Sequence, residues 1–180
     1  ITLDIILNCS KLSLLFMFKI NQRLTAHLTW KEAAISMRNG NPENAIRLYK
    51  KIYPILDHDR FFLYNYGSEL SLLGNYHESI QILEKAREKI NDADVYIYLG
   101  NSYEGAGNIS RAGESFRRAA NIVPGRLYPE FRLVYLYARN GRLQEARELA
   151  SRLIHKKVKV ESDLTRQLKA DLQKFLDETA

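Results

Sequence analysis

The sequence predicts an all-α fold: about four antiparallel helix pairs stacked as a right-handed superhelix, closed by a single C-terminal capping helix. A pattern of apolar and small residues recurs at offsets of 33 and 34 residues, and such a period indicates a repeat architecture. Within each window the apolar residues lie three and four positions apart, on one face of a helix. A glycine near the middle of each window, such as Gly74, is typical of the residue that ends a first helix.

One window carries the pattern almost without departures, and it consists of Tyr96, Leu99, Gly100, Tyr103, Gly107, Ile109, Ala112, Phe116, Ala119 and Pro124. Related windows surround Gly67 and Val134, and a weaker copy runs from Trp30 to Ile52. Glu130 departs from the pattern, because a large apolar residue is usual there. We expect the small residues, Gly67 and Gly100 among them, to lie where two helices cross, since a bulky side chain would push the backbones apart.

The repeats are predicted to span residues 26–158, followed by a capping helix in residues 159–180. Ser162 is the expected N-cap of that helix, and its apolar positions are Leu164, Leu168, Leu172 and Phe175. Residues 1–25 form an apolar N-terminal segment with a dense run from Leu12 to Phe18. Two interpretations of it stay open: the end of a membrane span, or an N-terminal helix that caps the first repeat. Because the chain begins with Ile1, we expect it to be a fragment or a processed product.

The net charge of +6 is uneven along the chain. Residues 1–110 hold 12 Lys/Arg and 12 Asp/Glu, residues 111–174 hold 15 and 7, and the last six residues add two acids, so the sum is 0 + 8 − 2 = +6. A basic C-terminal half is able to attract nucleic acid, anionic lipid or acidic glycans. The alternative is an ordinary solvated helix surface. Specific nucleic-acid binding is disfavoured, because the arginines are dispersed over both helices of each pair.

No residue pattern predicts catalysis or a cofactor. Cys9 is the single cysteine, and the four histidines have no partner at a metal-ligand spacing. The run Asp57-His58-Asp59 resembles a ligand cluster, but it follows Leu56 in a predicted turn, where polar residues are common. We therefore expect no metal, no cofactor and no enzymatic activity from this chain alone.

The repeat resembles the tetratricopeptide repeat, on the Leu99-Gly100 pair, Tyr103, Ala112, Phe116, Ala119 and Pro124. The resemblance implies that the first helix of each pair lines a concave groove that binds a partner. Its predicted lining is aromatic with arginines at one end: Phe61, Tyr64, Tyr98, Asn101, Tyr128, Phe131, Arg132, Tyr135 and Arg139. Ser68, Asp94 and Ile97 are also expected to be exposed there. Alternatively, some of these rings belong to the core between repeats.

A second resemblance is to the C-terminal repeat region of O-antigen ligase-like membrane proteins of Bacteroidetes. The segments that carry it are the Pro124-Gly-Arg-Leu-Tyr-Pro129 turn and Lys157-Val-Lys-Val160. It implies that this chain is a non-catalytic accessory region of a glycan-transferring membrane protein of the lipopolysaccharide pathway, anchored through an upstream region, with catalytic residues elsewhere. The partner would then be a glycan or a lipid-linked glycan. The alternative function is a free-standing adaptor that binds a peptide or protein.

Overall fold

The computed structural model describes residues 2–158 and 161–179, with side chains from residue 11 onward, and all regular secondary structure in these ranges is helical. The nine helices are α1 (Thr2–Arg38), α2 (Pro42–Leu56), α3 (Arg60–Leu72), α4 (Tyr76–Arg87), α5 (Ala93–Gly105), α6 (Ile109–Ile122), α7 (Tyr128–Arg139), α8 (Leu143–Ile154) and α9 (Asp163–Glu178). For the described residues, the all-α prediction is confirmed. The backbone divides into two compact units, residues 1–66 and 67–180.

The first unit is a hairpin of α1 and α2 with the beginning of α3 packed on it. Asn41 caps α2 by accepting a hydrogen bond from the backbone N–H of Asn44 at 3.1 Å. An aromatic core holds the unit together. Tyr49 stacks on Tyr66 with ring centroids 5.0 Å apart, and Trp30 meets the ring of Phe62 edge-on. The weaker first copy of the repeat therefore forms a helix pair.

Helix α1 extends well beyond the part that packs on α2. Ala26 is the first buried side chain among those described, and every side chain from residue 11 to residue 25 is exposed. The expected boundary between residues 25 and 26 falls inside one continuous helix. That the repeats begin at residue 26 stays a prediction. In the described part of the chain, no helix combines the length and the apolar character needed to cross a bilayer.

The second unit contains the end of α3 and helices α4 to α9. Its helix pairs cross closely where the sequence has glycine. A Cβ atom on Gly67 would lie 2.6 Å from Leu83 Cγ, and one on Gly100 would lie 2.5 Å from the ring of Phe116. These distances are well inside van der Waals contact. The prediction that both glycines lie at helix crossings is confirmed.

The helix ends of the second unit also follow the sequence. Gly74, Gly107 and Gly141 have φ of 78°, 79° and 75°, the left-handed conformation that ends a first helix. Pro124 follows the end of α6, where a helix does not continue. Ser162 caps α9, because its Oγ accepts from the backbone N–H of Thr165 at 3.1 Å.

Two polar residues at core positions have partners. Glu130, the departure from the repeat pattern, is half-buried and forms an ion pair with Lys156. Ser79 donates from Oγ to the carbonyl oxygen of Gly67 at 2.8 Å, and its Oγ lies 2.8 Å from that of Ser102. A buried polar group is costly only when it lacks such a bond, so these residues fit the helical stack.

Candidate ligand-binding groove

The nine residues predicted to line a groove fall into the two units. Phe61 and Tyr64 lie on α3 in the first unit. Phe61 is 50% exposed, with the guanidinium carbon of Arg60 4.8 Å from its ring centroid, and Tyr64 is half-buried. The other seven lie on α5 and α7 in the second unit: Tyr98, Asn101, Tyr128, Phe131, Arg132, Tyr135 and Arg139. Of these, Arg139 is exposed and the rest are half-buried.

A concavity of about 600 Å³ lies in the second unit beside α5 and α7. Three of the predicted residues, Asn101, Arg132 and Arg139, line it. The remaining lining is Ser71, Leu72, Tyr76, Glu104, Gly105, Ile109 and Asn140. The four predicted aromatic residues of this unit are not part of its lining, so the concavity is more polar than the sequence indicated.

A carboxylate shared by two arginines forms one wall of the concavity. Arg132 donates from Nη2 to Glu104 Oε2 at 2.7 Å, and Arg139 donates from Nη1 to Glu104 Oε1 at 3.2 Å. Arg132 also donates to the hydroxyl of Tyr128 at 3.3 Å, and its guanidinium lies 5.2 Å from the ring centroid of Phe116. Two cations and one anion leave this wall with one net positive charge.

The two arginines differ in exposure. Burial alone would lower the pKa of Arg132, but hydrogen bonds to Tyr128 and Glu104 keep that pKa above its ordinary value. Arg132 is therefore a fixed cation held by its neighbours. The side chain of Arg139 is 70% exposed, so it is the one of the pair that is free to reorient toward a ligand.

Asn101 brings an unsatisfied acceptor to the same concavity. Its Oδ1 atom is buried and has no hydrogen-bond partner among the described residues. Most buried side-chain oxygens in folded proteins accept at least one hydrogen bond, and leaving one without a donor costs about 1–3 kcal/mol. A ligand with an N–H group would remove this cost once the Asn101 side chain turns its amide oxygen toward the concavity.

Three of the predicted aromatic residues form a row along α7 that reaches the capping helix. The rings of Tyr128 and Phe131 are stacked at 6.5 Å, and those of Phe131 and Tyr135 lie 4.8 Å apart. Tyr135 then contacts Phe175 of α9 at 5.7 Å, and Phe175 is buried. Tyr135 is thus partly covered by α9, as the core alternative allows.

Two residues expected to be exposed in the groove are core residues instead. Ser68 is 7% exposed and Ile97 is 4% exposed, and Ile97 packs with Ala93 and Ala119. Asp94, also expected there, is half-buried and pairs with Arg126 at 2.6 Å. Glu104 was not identified from the sequence as a residue of the groove. A signal was present, because Glu104 lies 28 residues before Arg132 and 35 before Arg139, about one repeat away, and its charge is opposite to theirs.

One of the three residues that resembled a metal site, Asp59, has a structural role. Asp59 Oδ1 caps α3 by accepting from the backbone N–H groups of Phe61 and Phe62 at 2.9 and 3.0 Å. His58 lies 3.5 Å from the carboxylate of Asp57 and is largely exposed. Within residues 2–158 and 161–179, no group of three His, Cys, Asp or Glu side chains is placed to hold a metal ion.

The chain matches the tetratricopeptide repeat model over residues 62–87, the second predicted helix pair. No curated protein matches it in sequence.

Several solved structures share the fold. A MamA chain from Desulfovibrio magneticus RS-1 aligns with a TM-score of 0.69 at 16% identity, over 81% of this chain and 76% of that one. Another MamA structure gives 0.68 at 19%, over 86% of both chains. YrrB, described as a tetratricopeptide-repeat protein with an unusual peptide-binding site, gives 0.62 at 18%, over 84% of this chain and 74% of its own. These matches show an all-helical tetratricopeptide-repeat solenoid fold.

Proposed function

We propose that this chain is a non-catalytic binding scaffold whose concavity beside α5 and α7 takes an extended segment of a partner protein. One observation carries the proposal: the buried Oδ1 atom of Asn101 has no donor in the part of the chain that the structure describes, and it belongs to a residue that lines an open concavity. An extended peptide presents backbone N–H groups that have no partner of their own. One of them would supply the missing hydrogen bond when the Asn101 side chain turns its amide oxygen toward the concavity.

The charge of the concavity favours a partner with an acidic group. Glu104 is shared between Arg132 and Arg139, which leaves one cation in excess, and Arg139 is mostly exposed. A carboxylate on the ligand would form a charge-assisted hydrogen bond with its guanidinium. YrrB, which has a similar fold, is described as having a peptide-binding site, and this supports a peptide as the ligand class.

A second candidate comes from the resemblance to O-antigen ligase-like membrane proteins. In that case the chain is the accessory region of a glycan-transferring membrane protein, and the catalytic residues belong to another part of it. The row of rings from Tyr128 to Tyr135 supports this candidate, since a tyrosine ring has both an apolar face and a hydrogen-bonding hydroxyl and is able to stack on a sugar ring.

The test begins with selection from a displayed library of random peptides, using the full chain as bait. Asn101→Ala removes the acceptor, and we expect it to weaken binding of the selected peptide about five- to tenfold, the equivalent of roughly one hydrogen bond. Asn121→Ala is the matched control, because Asn121 is an exposed asparagine on α6. It should bind like the unmodified chain.

Two results would reject the peptide proposal. In the first, Asn101→Ala binds the selected peptide as tightly as Asn121→Ala does. In the second, no peptide is selected, and soluble oligosaccharides bind in a titration that Tyr128→Ala weakens, which is the result expected of the glycan candidate.

A further inference from the structure

The most unusual surface of the first unit lies on the N-terminal half of α1. Between residues 11 and 24, eight large apolar side chains are 46–72% exposed, and they are Leu12, Leu14, Leu15, Phe16, Met17, Phe18, Ile20 and Leu24. Soluble surfaces normally carry such side chains singly. A cluster of exposed apolar side chains of this size is typical of a surface that binds a protein or a membrane.

The apolar side chains point in every direction around the helix. Successive residues of an α-helix are about 100° apart, so the run from Leu12 to Phe18, interrupted only by Ser13, spans nearly two turns and leaves no polar face. A groove on a protein covers one stripe of a helix, with contacts spaced three and four residues apart. A helix that is apolar all round is instead suited to an apolar solvent such as lipid.

The charges of the same segment fit an anionic lipid surface. From residue 11 to residue 31 the sequence contains no Asp or Glu, and Lys11, Lys19, Arg23 and Lys31 give it a charge of +4. Basic residues near a membrane surface that contains anionic lipids each favour binding. Lys11 and Lys19 lie immediately before and after the apolar run, where their long side chains are able to reach the headgroups while the run is embedded.

We infer that residues 11–24 of α1 bind a lipid bilayer containing anionic lipids, with the run from Leu12 to Phe18 embedded and the flanking cations at the headgroups. Seven helical residues are about 10 Å long, far short of a hydrocarbon core about 30 Å thick, and Lys11 and Lys19 both reach one headgroup layer when the helix lies along the membrane surface. The binding therefore does not require the helix to cross the membrane. It is independent of the groove and of its ligand.

The inference is tested by sedimenting the full chain with vesicles of phosphatidylcholine alone and with vesicles containing about 30% phosphatidylglycerol. We expect binding to the second kind, weakened by added salt. Leu14→Glu combined with Phe16→Glu should reduce it at least tenfold, with unchanged helical circular dichroism because both side chains are exposed. Leu164→Glu is the matched control: Leu164 is 60% exposed on α9, and its replacement should leave vesicle binding unchanged.

Charge reversal separates the two parts of the inference. Lys19→Glu with Arg23→Glu lowers the charge of the segment from +4 to 0, and we expect it to abolish the preference for anionic vesicles. Equal binding of the unmodified chain to both vesicle types would overturn the role of the cations. The whole inference fails if the chain sediments with neither, or if it is instead an oligomer that the Leu14 and Phe16 replacements dissociate. Asn101→Ala should bind vesicles normally, so the groove proposal and the membrane inference are tested independently.

Discussion

Two glycines inside helices of the second unit should respond to alanine in opposite directions. Gly100 in α5 faces Phe116, and a Cβ there would lie 2.5 to 2.8 Å from three atoms of the ring. Gly113 in α6 is also buried, but its nearest neighbour would be 3.5 Å from the new Cβ, an ordinary contact. Because both glycines have helical backbone, a difference in stability between the two alanine variants reports the space available for the new methyl group.

The magnitudes follow from two opposing effects. Alanine in a helix interior is favoured over glycine by about 1 kcal/mol. Overpacking a filled site typically costs about 1–3 kcal/mol, and Phe116 has no exposed surface into which to move. Because Phe116 cannot move aside, the overpacking cost at Gly100 should lie near its upper end of about 3 kcal/mol. Subtracting the helix gain of about 1 kcal/mol, we expect Gly100→Ala to lower the free energy of unfolding by about 2 kcal/mol, and Gly113→Ala to raise it by about 1 kcal/mol. Gly100→Leu should cost still more.

Thermal unfolding followed by circular dichroism measures this difference. For a chain of this size, 1 kcal/mol corresponds to about 2–4 °C in Tm, so the two variants should differ by roughly 6–12 °C. Equal Tm values for Gly100→Ala and Gly113→Ala would refute the reasoning, because they would mean that the close approach of α5 to the ring has no energetic consequence. Unchanged far-ultraviolet spectra are the control that both variants remain helical.

Three further predictions concern other parts of the second unit. Tyr103→Phe removes a hydroxyl that donates to Glu84 at 2.6 Å and accepts from Arg111 at 2.9 Å, and it should cost about 1–2 kcal/mol in urea unfolding; no change would mean that water replaces both bonds. Deleting residues 162–180 removes the helix that covers the apolar face of α8 and should lower Tm or cause aggregation, whereas a soluble truncation of unchanged Tm would contradict packing of α9 on the repeats. Tyr98→Ala with Phe131→Ala removes two rings that do not line the concavity, so it should leave binding of the selected peptide unchanged and weaken only the oligosaccharide binding of the second candidate; unfolding of this variant would instead identify the rings as core.

The repeat architecture was predictable because it depends on local backbone and spacing. Left-handed glycines, the Ser162 cap and the small residues at crossings each act within one helix pair, and the repeat period lets one clear window locate the others. Gly100 illustrates this: its place in the pattern predicted a close crossing, and the ring of Phe116 fills that crossing. Even Glu130, which departs from the pattern, has its charge compensated by Lys156.

The lining of the concavity was harder to predict, because it depends on whether each side chain points into the concavity or into the core between neighbouring helix pairs. Asn101, Arg132 and Arg139 line the concavity, whereas Ile97, which was expected to be exposed, is buried in the core. Helical periodicity places residues on a face only to within the width of that face. It does not reveal that Glu104 forms ion pairs with two arginines of the next helix pair, nor that the Asn101 acceptor has no donor among the described residues.

Phe116 connects the packing of the second unit to its proposed binding site. On one side its ring fills the space at Gly100, and on the other the guanidinium of Arg132 lies over it. A ring displaced by Gly100→Ala therefore shifts Arg132, and with it the carboxylate of Glu104 that also holds Arg139. We expect Gly100→Ala to weaken binding of the selected peptide at temperatures where the variant is fully folded, while Gly113→Ala binds normally. Equal binding by both variants would show that the site is mechanically independent of the crossing beneath it.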